Sequence, residues 1–300
     1  MLPARNARLL ILITILGAML LSLALRAPEP GPGPDQAART TPAGPEDRED
    51  FSFAIVPQFE SRKLAAVWTP IIQAVAAEAH LHLSLIPTLT VREFERGVAA
   101  GRYDFVYANP FHILRESGRQ GYFPLVRDTA PLRGILVVRA DSPVTGPAEL
   151  KGKVLAVPSP NAVAASLLLR SDLEHLFHLE MTLLDAKTHG GAFLAVAGHK
   201  ADAGGGADNT LRELDPLVRG ALRVIYTTRE MPAHAVAAHP RVPEAVRERL
   251  RRALLTLAET PEGRTLLARV PMKRPVAAAS SDYQVMADWG LERFWIDGPD

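Results

Sequence analysis

Residues 101–110 read GRYDFVYANP. Gly101 is a glycine stop for the helical pattern Val91–Ala100 that precedes it. Tyr103–Ala108 is an apolar run of strand length. Pro110 suits the first turn of a following helix, where the amide it lacks would have no partner anyway. A helix, a strand and a second helix therefore meet in one short stretch. Upstream, Phe51–Val56 is a strand ending at Pro57. Arg62–Ala79 sets Leu64, Val67, Trp68, Ile71, Ile72 and Val75 at helical spacing, and Leu81–Ile86 is a strand closed by Pro87. Residues 51–118 thus run βαβαβα, the order that builds a parallel sheet with right-handed crossovers.

A second alternation follows. Gly134–Arg139 and Val154–Val157 are strands, 161–178 is helical, Met181–Leu184 is extended and Gly190–Ala197 is helical. Ala201–Gly204 is a short strand entering a loop at Gly204–Gly206, and Leu222–Tyr226 is another strand. The end is helical over Pro243–Leu257, Pro261–Ala268 and roughly Ser281–Phe294. Two successive α/β units point to an α/β chain with two lobes, about 51–138 with 230–300 and about 139–229.

The bulk numbers fit a globular body. Apolar residues make up 47% and charged residues 22%, enough to bury a sizeable core. Residues 1–26 hold Arg5, Arg8 and Arg26 and no acid, so the rest of the chain carries two more acids than bases. That balance argues against nucleic acid as a partner. Cysteine is absent, which excludes disulfides, thiolate catalysis and lipid attachment through a cysteine.

The N-terminus sets the compartment. Arg5 and Arg8 precede the uncharged apolar run Leu9–Leu25, 17 residues or about 25 Å of helix. That length lies between a signal-peptide core and a spanning helix, so 1–26 is a signal anchor or a cleaved signal. Arginines ahead of the run put the body outside the cytoplasm. Residues 27–50 are dense in Pro and Gly and read as a disordered tether.

In open α/β sheets, ligands sit at the carboxyl ends of strands and at helix N-termini. The post-strand positions here are Gln58-Phe59-Glu60, Asn109-Pro110, Ser159-Pro160-Asn161, His189-Gly190-Gly191 and Asp208-Asn209-Thr210. Amides and hydroxyls of this kind suit an oxyanion or polar solute. Each also reads as an ordinary helix cap. Tyr107 adjoins the Asn109 position. His80 with His82, and His175 with His178, lack the further ligands a metal site needs, so no metal and no cofactor is expected. Motifs for serine hydrolases, zinc proteases, phosphate loops and dinucleotide folds are missing.

The order of these pieces resembles the phosphonate/phosphite-type periplasmic binding proteins of ABC importers. The resemblance spans residues 51–295. It rests on FAIVPQ at 53–58, WTP at 68–70, GRYDFVYANP at 101–110, VVRADSP at 137–143 and ELKGK at 149–153. Further on it rests on KTH at 187–189 with FLAV at 193–196, and on VIYTT at 224–228 with Met231-Pro232. It implies a two-lobed type II binding-protein fold, each lobe a mixed sheet flanked by helices, with a hinge of crossing strands. It also implies a bound oxyanion and no catalysis.

The departures bear on the ligand. Where the family carries tyrosines, this chain has Val91 and Leu132. Where it carries a Ser-Thr-Ser-Gly clamp, this chain has Ala162–Ala165. His189 is kept, and the two acids that hold an alkylamine are replaced by Asn209 and His234. A cationic amine loses its partners, while helix amides after Asn161, with His189, suit a smaller or less charged anion. The candidate ligand-binding set is therefore Gln58, Phe59, Tyr107, Asn109, Ser159, Asn161, His189, Asn209 and His234. The expected role is to capture a small phosphate-, phosphite- or phosphonate-like anion on the periplasmic side of the inner membrane for an ABC permease. A tethered component of a membrane sensor is the alternative, and a hydrolytic enzyme, built on Asp208 with His189 or His234, is the rival class.

Overall fold

The computed structural model describes residues 50–58 and 61–297. The apolar run 9–25, the tether as far as residue 49, and Phe59 lie outside the described residues. No helix among the described residues is long and apolar enough to cross a membrane.

The chain runs β1 (Asp50–Ile55), α1 (Ser61–Ala79), β2 (His82–Ile86), α2 (Val91–Ala99), β3 (Phe105–Ala108), α3 (Pro110–Arg119) and β4 (Phe123–Asp128). It continues with β5 (Gly134–Arg139), β6 (Val154–Val157), a wide turn at Val163–Leu167 leading straight into α4 (Leu168–Phe177), β7 (Thr182–Asp185) and α5 (His189–Ala197). Then come β8 (Ala203–Ala207), α6 (Asp208–Arg212), α7 (Pro216–Gly220), β9 (Leu222–Thr227) and β10 (Ala235–Ala238). The last elements are α8 (Glu244–Leu257), α9 (Pro261–Leu267), β11 (Pro275–Ala277) and α10 (Ser280–Gln284).

Two mixed sheets result. The first has the order β11-β4-β10-β3-β1-β2 and the second β7-β6-β8-β5-β9. In each, three parallel strands meet antiparallel ones: β10 lies against β3, and β5 against β8. β5 pairs with β8 and β9, so the sheets divide just before Gly134 rather than after Val138. The chain crosses between them twice, before β5 and after β9. At the crossings Leu132 N donates to Met231 O at 2.8 Å and Met231 N to Leu132 O at 3.0 Å. This antiparallel bridge is the hinge of crossing strands.

Burial explains the first sheet. All four residues of β3 are buried, and Trp68 from α1 packs on Tyr107 with ring centroids 4.6 Å apart. The apolar stripe of α1 that the spacing picked out, from Leu64 to Val75, is buried against this sheet.

Four sequence expectations are corrected. Gly204–Gly206 is no loop: these glycines form the middle of β8, fully buried. They are glycine because neighbours occupy the side-chain space. A Cβ on Gly205 would lie 1.9 Å from the Ala165 carbonyl oxygen, and one on Gly206 would lie 2.1 Å from the Phe193 ring. The C-terminal helix Ser281–Phe294 is broken into short turns, because Gly290 stands at φ +65° between them. β4, β10 and β11 were not foreseen; Ala235–Ala238 is a strand through its pairing with β3 and β4, against the helical preference of alanine. His80, with φ 52°, lies in the turn before β2 and does not share a strand with His82.

The β8 contact gives a test. Gly205→Ala forces its Cβ into the Ala165 carbonyl and lowers stability by about 1–3 kcal/mol in urea denaturation. Gly220→Ala, which meets open space, leaves the midpoint close to wild type.

Candidate functional site

A cavity of about 590 Å³ lies where the two sheets face each other beside the hinge. Its lining follows the strand ends. Val56, Pro57 and Gln58 come after β1, Asn109 after β3, Ser159 after β6, Lys187–Gly190 after β7, and Asn209 and Thr210 after β8. Leu132 and His234 come from the hinge segments, and Ala268–Pro271 with Lys273 from the chain after α9.

Helix starts point into this space. Asn109 caps α3, its Oδ1 accepting from His112 N at 2.8 Å. Thr188 caps α5, its Oγ1 accepting from Gly191 N at 2.9 Å. The wide turn ahead of α4 has no side-chain cap. Its first bonded amides are Ser166 N and Leu167 N, which both reach Ala162 O, at 2.8 and 3.1 Å. The amides of Val163, Ala164 and Ala165 therefore form the open end of the helix, and these three residues line the cavity. Such an end carries partial positive charge.

The charges agree in sign. Lys63, Lys187, Arg269 and Lys273 line the cavity, against the carboxylate of Glu213. Lys187 Nζ is bound to Asp185 Oδ2 at 2.6 Å. Two imidazoles complete the wall. Burial pushes His189 down to about pKa 4 and His234 down to about 3, the latter helped by its histidine neighbours His112 and His189. Gln58 Nε2 lies 3.0 Å from His234 Nε2. An amide nitrogen can only donate, so the imidazole accepts and is neutral. His189 Nδ1 is buried with no protein partner.

Of the residues expected from sequence, Gln58, Asn109, Ser159, His189, Asn209 and His234 come together around the cavity. Tyr107 does not line it. Its ring lies beneath His234, centroids 5.4 Å apart, and its hydroxyl is buried without a partner. Asn161 is also displaced from the lining. Its Nδ2 donates to Glu95 Oε2 at 2.9 Å and to Ile296 O at 3.0 Å, and its Oδ1 accepts from Ile296 N at 2.9 Å. These bonds saturate the amide, and it serves as a junction between α2, the second sheet's side and the C-terminal segment. The positions that depart from the resemblance, Val91, Leu132 and Ala162–Ala165, all line the cavity.

Lys63, Thr188, Glu213, Arg269 and Lys273 were missed. Lys63 and Thr188 sit by helix starts after strands, where the rule of strand ends could have found them. Glu213, Arg269 and Lys273 carry no local signal; the path of the chain brings them to the cleft. Among the described residues no group of three or more His, Cys, Asp or Glu is placed to hold a metal ion.

Comparison with known proteins agrees with this architecture. The family described as the periplasmic phosphonate substrate-binding protein of ABC transporters matches residues 53–283, and the chain belongs to it. The fold is that of type II periplasmic binding proteins. A binding component of an ABC phosphonate transporter from Pseudomonas aeruginosa shares it at 15% identity and TM-score 0.71, covering 83% of this chain and 88% of that one. PhnD1 from Prochlorococcus marinus, solved in complex with methylphosphonate, shares it at 13% identity and TM-score 0.74, covering 82% and 99%. A Xanthomonas citri protein solved with chloride shares it at 17% identity and TM-score 0.70, covering 81% and 98%. A search of curated proteins finds no match. The chain is thus a solute-binding protein of the periplasmic transport class.

The two imidazoles make stability depend on pH. Their folded pKa values lie below the ordinary value near 6.5, so the unfolded chain binds more protons in acid. Stability from both is fully present above about pH 6.5 and is lost as pH falls toward 4 and 3. Urea denaturation should show a loss of up to about 1.4 kcal/mol per pH unit for each histidine in that window. His189→Ala should flatten the slope, and a wild-type midpoint unchanged between pH 7.5 and 5 would contradict the assignment.

Proposed function

We propose that this protein captures a small oxyanion of the phosphonate, phosphite or phosphate kind in the cleft between its two sheets and delivers it to an ABC permease. The observation that carries the reading is the open helix end at Val163–Ala165, set in a cavity whose lining holds four cationic side chains and one carboxylate. Backbone amides at a helix start hold an oxyanion without a fixed charge of their own. Neutral His189, with an unpartnered Nδ1, adds a polar group close by. Gln58, Asn109, Ser159, Asn209 and His234 line the rest of the seat. Phe59 adjoins Gln58 in sequence and stays in the proposed set, whereas Tyr107 acts from below through His234 and Asn161 from the lobe junction.

The reading is of binding, with no chemical step. PhnD1, a fold relative, was solved with methylphosphonate, which makes that compound the natural first probe. The run Leu9–Leu25 and the Pro/Gly-rich tether favour a body held on the periplasmic side of the membrane. A tethered body can present its ligand to a membrane sensor as well as to a permease.

Thermal-shift and calorimetric titration of the full chain with methylphosphonate, phosphite and phosphate test the site. At a hundred times Kd a ligand stabilises the fold by about 2.7 kcal/mol. His189→Ala should weaken binding about tenfold, and Lys273→Glu should weaken it further at low salt than at high salt. If none of the three oxyanions shifts the melting temperature, the reading fails.

A further inference from the structure

We propose that the preferred ligand of this cleft is an anion carrying a neutral, apolar body larger than a methyl group, and that a cationic amine on that body is rejected. The proposal rests on the oxyanion reading above and adds the chemistry of the rest of the ligand.

Size is the first observation. About 590 Å³ falls in the range of roughly 300–1,000 Å³ typical of clefts for larger organic ligands. A bare oxyanion or a methylphosphonate would leave most of this space to water. The second observation is the wall. Val91, Leu132 and Pro271 line the cavity from the side of the first sheet, and Val163 and Leu214 from the side of the second. An apolar body between them is covered from both sides, and each methylene taken from water is worth roughly a fourfold gain in affinity.

Charge is the third observation, and it is independent of the other two. With Lys187 paired to Asp185, Arg269 and Lys273 still outnumber Glu213 in the lining, so an ammonium group meets charge of its own sign. Apart from Glu213 and the basic side chains, the polar groups at Asn209 and His234 are neutral. Asn209 is an amide, and the Nε2 lone pair of His234 is occupied by the Gln58 amide at 3.0 Å. Taking an ammonium from water into this part of the site, away from the Glu213 carboxylate, is unfavourable.

Calorimetric titration of the full chain in detergent with methyl-, ethyl- and propylphosphonate and with 2-aminoethylphosphonate tests the proposal. Propyl and 2-aminoethyl have the same number of heavy atoms and differ in a methyl against an ammonium. Affinity should rise about three- to fourfold per methylene from methyl to propyl, and 2-aminoethylphosphonate should bind at least tenfold more weakly than propylphosphonate. Leu214→Asp, which brings a carboxylate to a half-buried wall position, should narrow that ratio. A flat or falling alkyl series, or equal binding of the amine, overturns the proposal while leaving the oxyanion reading in place. Failure of all four to bind removes both.

Discussion

The constraint on which the cleft depends is the seating of the wide turn at 163–167 on the second sheet. Ala164 O stands 2.1 Å from where a Cβ of Gly134 would be, and Ala165 O 1.9 Å from where a Cβ of Gly205 would be. Two strands, β5 and β8, give up side chains so that the backbone of this turn can lie directly on them. Everything at the cleft follows from that approach. The carbonyls are turned down onto the sheet, and the uncapped amides of Val163, Ala164 and Ala165 are left at the cavity wall. In the proposed seat, backbone amides and their dipole take the place of hydroxyl side chains.

A second constraint ties the lobes together at the edge of that seat. Asn161, just ahead of the turn, binds Glu95 of α2 and both backbone groups of Ile296. The same C-terminal segment is held on α4 by Arg170 and Ser171, which donate to Phe294 O at 2.8 Å and Trp289 O at 3.0 Å. On α3 it is held by Arg115, whose guanidinium lies 4.1 Å from the Trp295 ring centroid. The segment therefore spans from the first sheet's helices to the second's, a third connection beside the two hinge crossings. Any change in the angle between the sheets must act on these bonds.

Much of this was legible in the sequence, for definite reasons. The strands β1, β2, β3, β5 and β6 are apolar runs punctuated by Pro or Gly, and the stripe on α1 has unambiguous spacing. β10 and β11 are short and owe their form to neighbours far away in the chain, so no local pattern announces them. The glycines of β8 looked like a loop because glycine normally loosens a chain; here it admits a carbonyl and an aromatic ring. Strand ends pointed to Gln58, Asn109, Ser159, His189 and Asn209, which line the cavity, since cleft positions in α/β folds follow topology; His234 came from the family resemblance. Asn161 follows the same rule, yet its amide is bonded to Ile296, 135 residues away in sequence, a partner that no local pattern announces. The basic groups at Arg269 and Lys273 escaped because their place depends on the return path after α9.

The central claim is that the open end of the 163–167 turn is the anion seat. A crystal structure of the full chain with bound methylphosphonate tests it most directly. The account predicts phosphonate oxygens at about 2.7–3.2 Å from the amide nitrogens of Val163–Ala165, with the methyl group turned toward Val91 and Leu132. A phosphonate seated outside the cleft, or inside it with its oxygens turned away from that turn, would contradict the account.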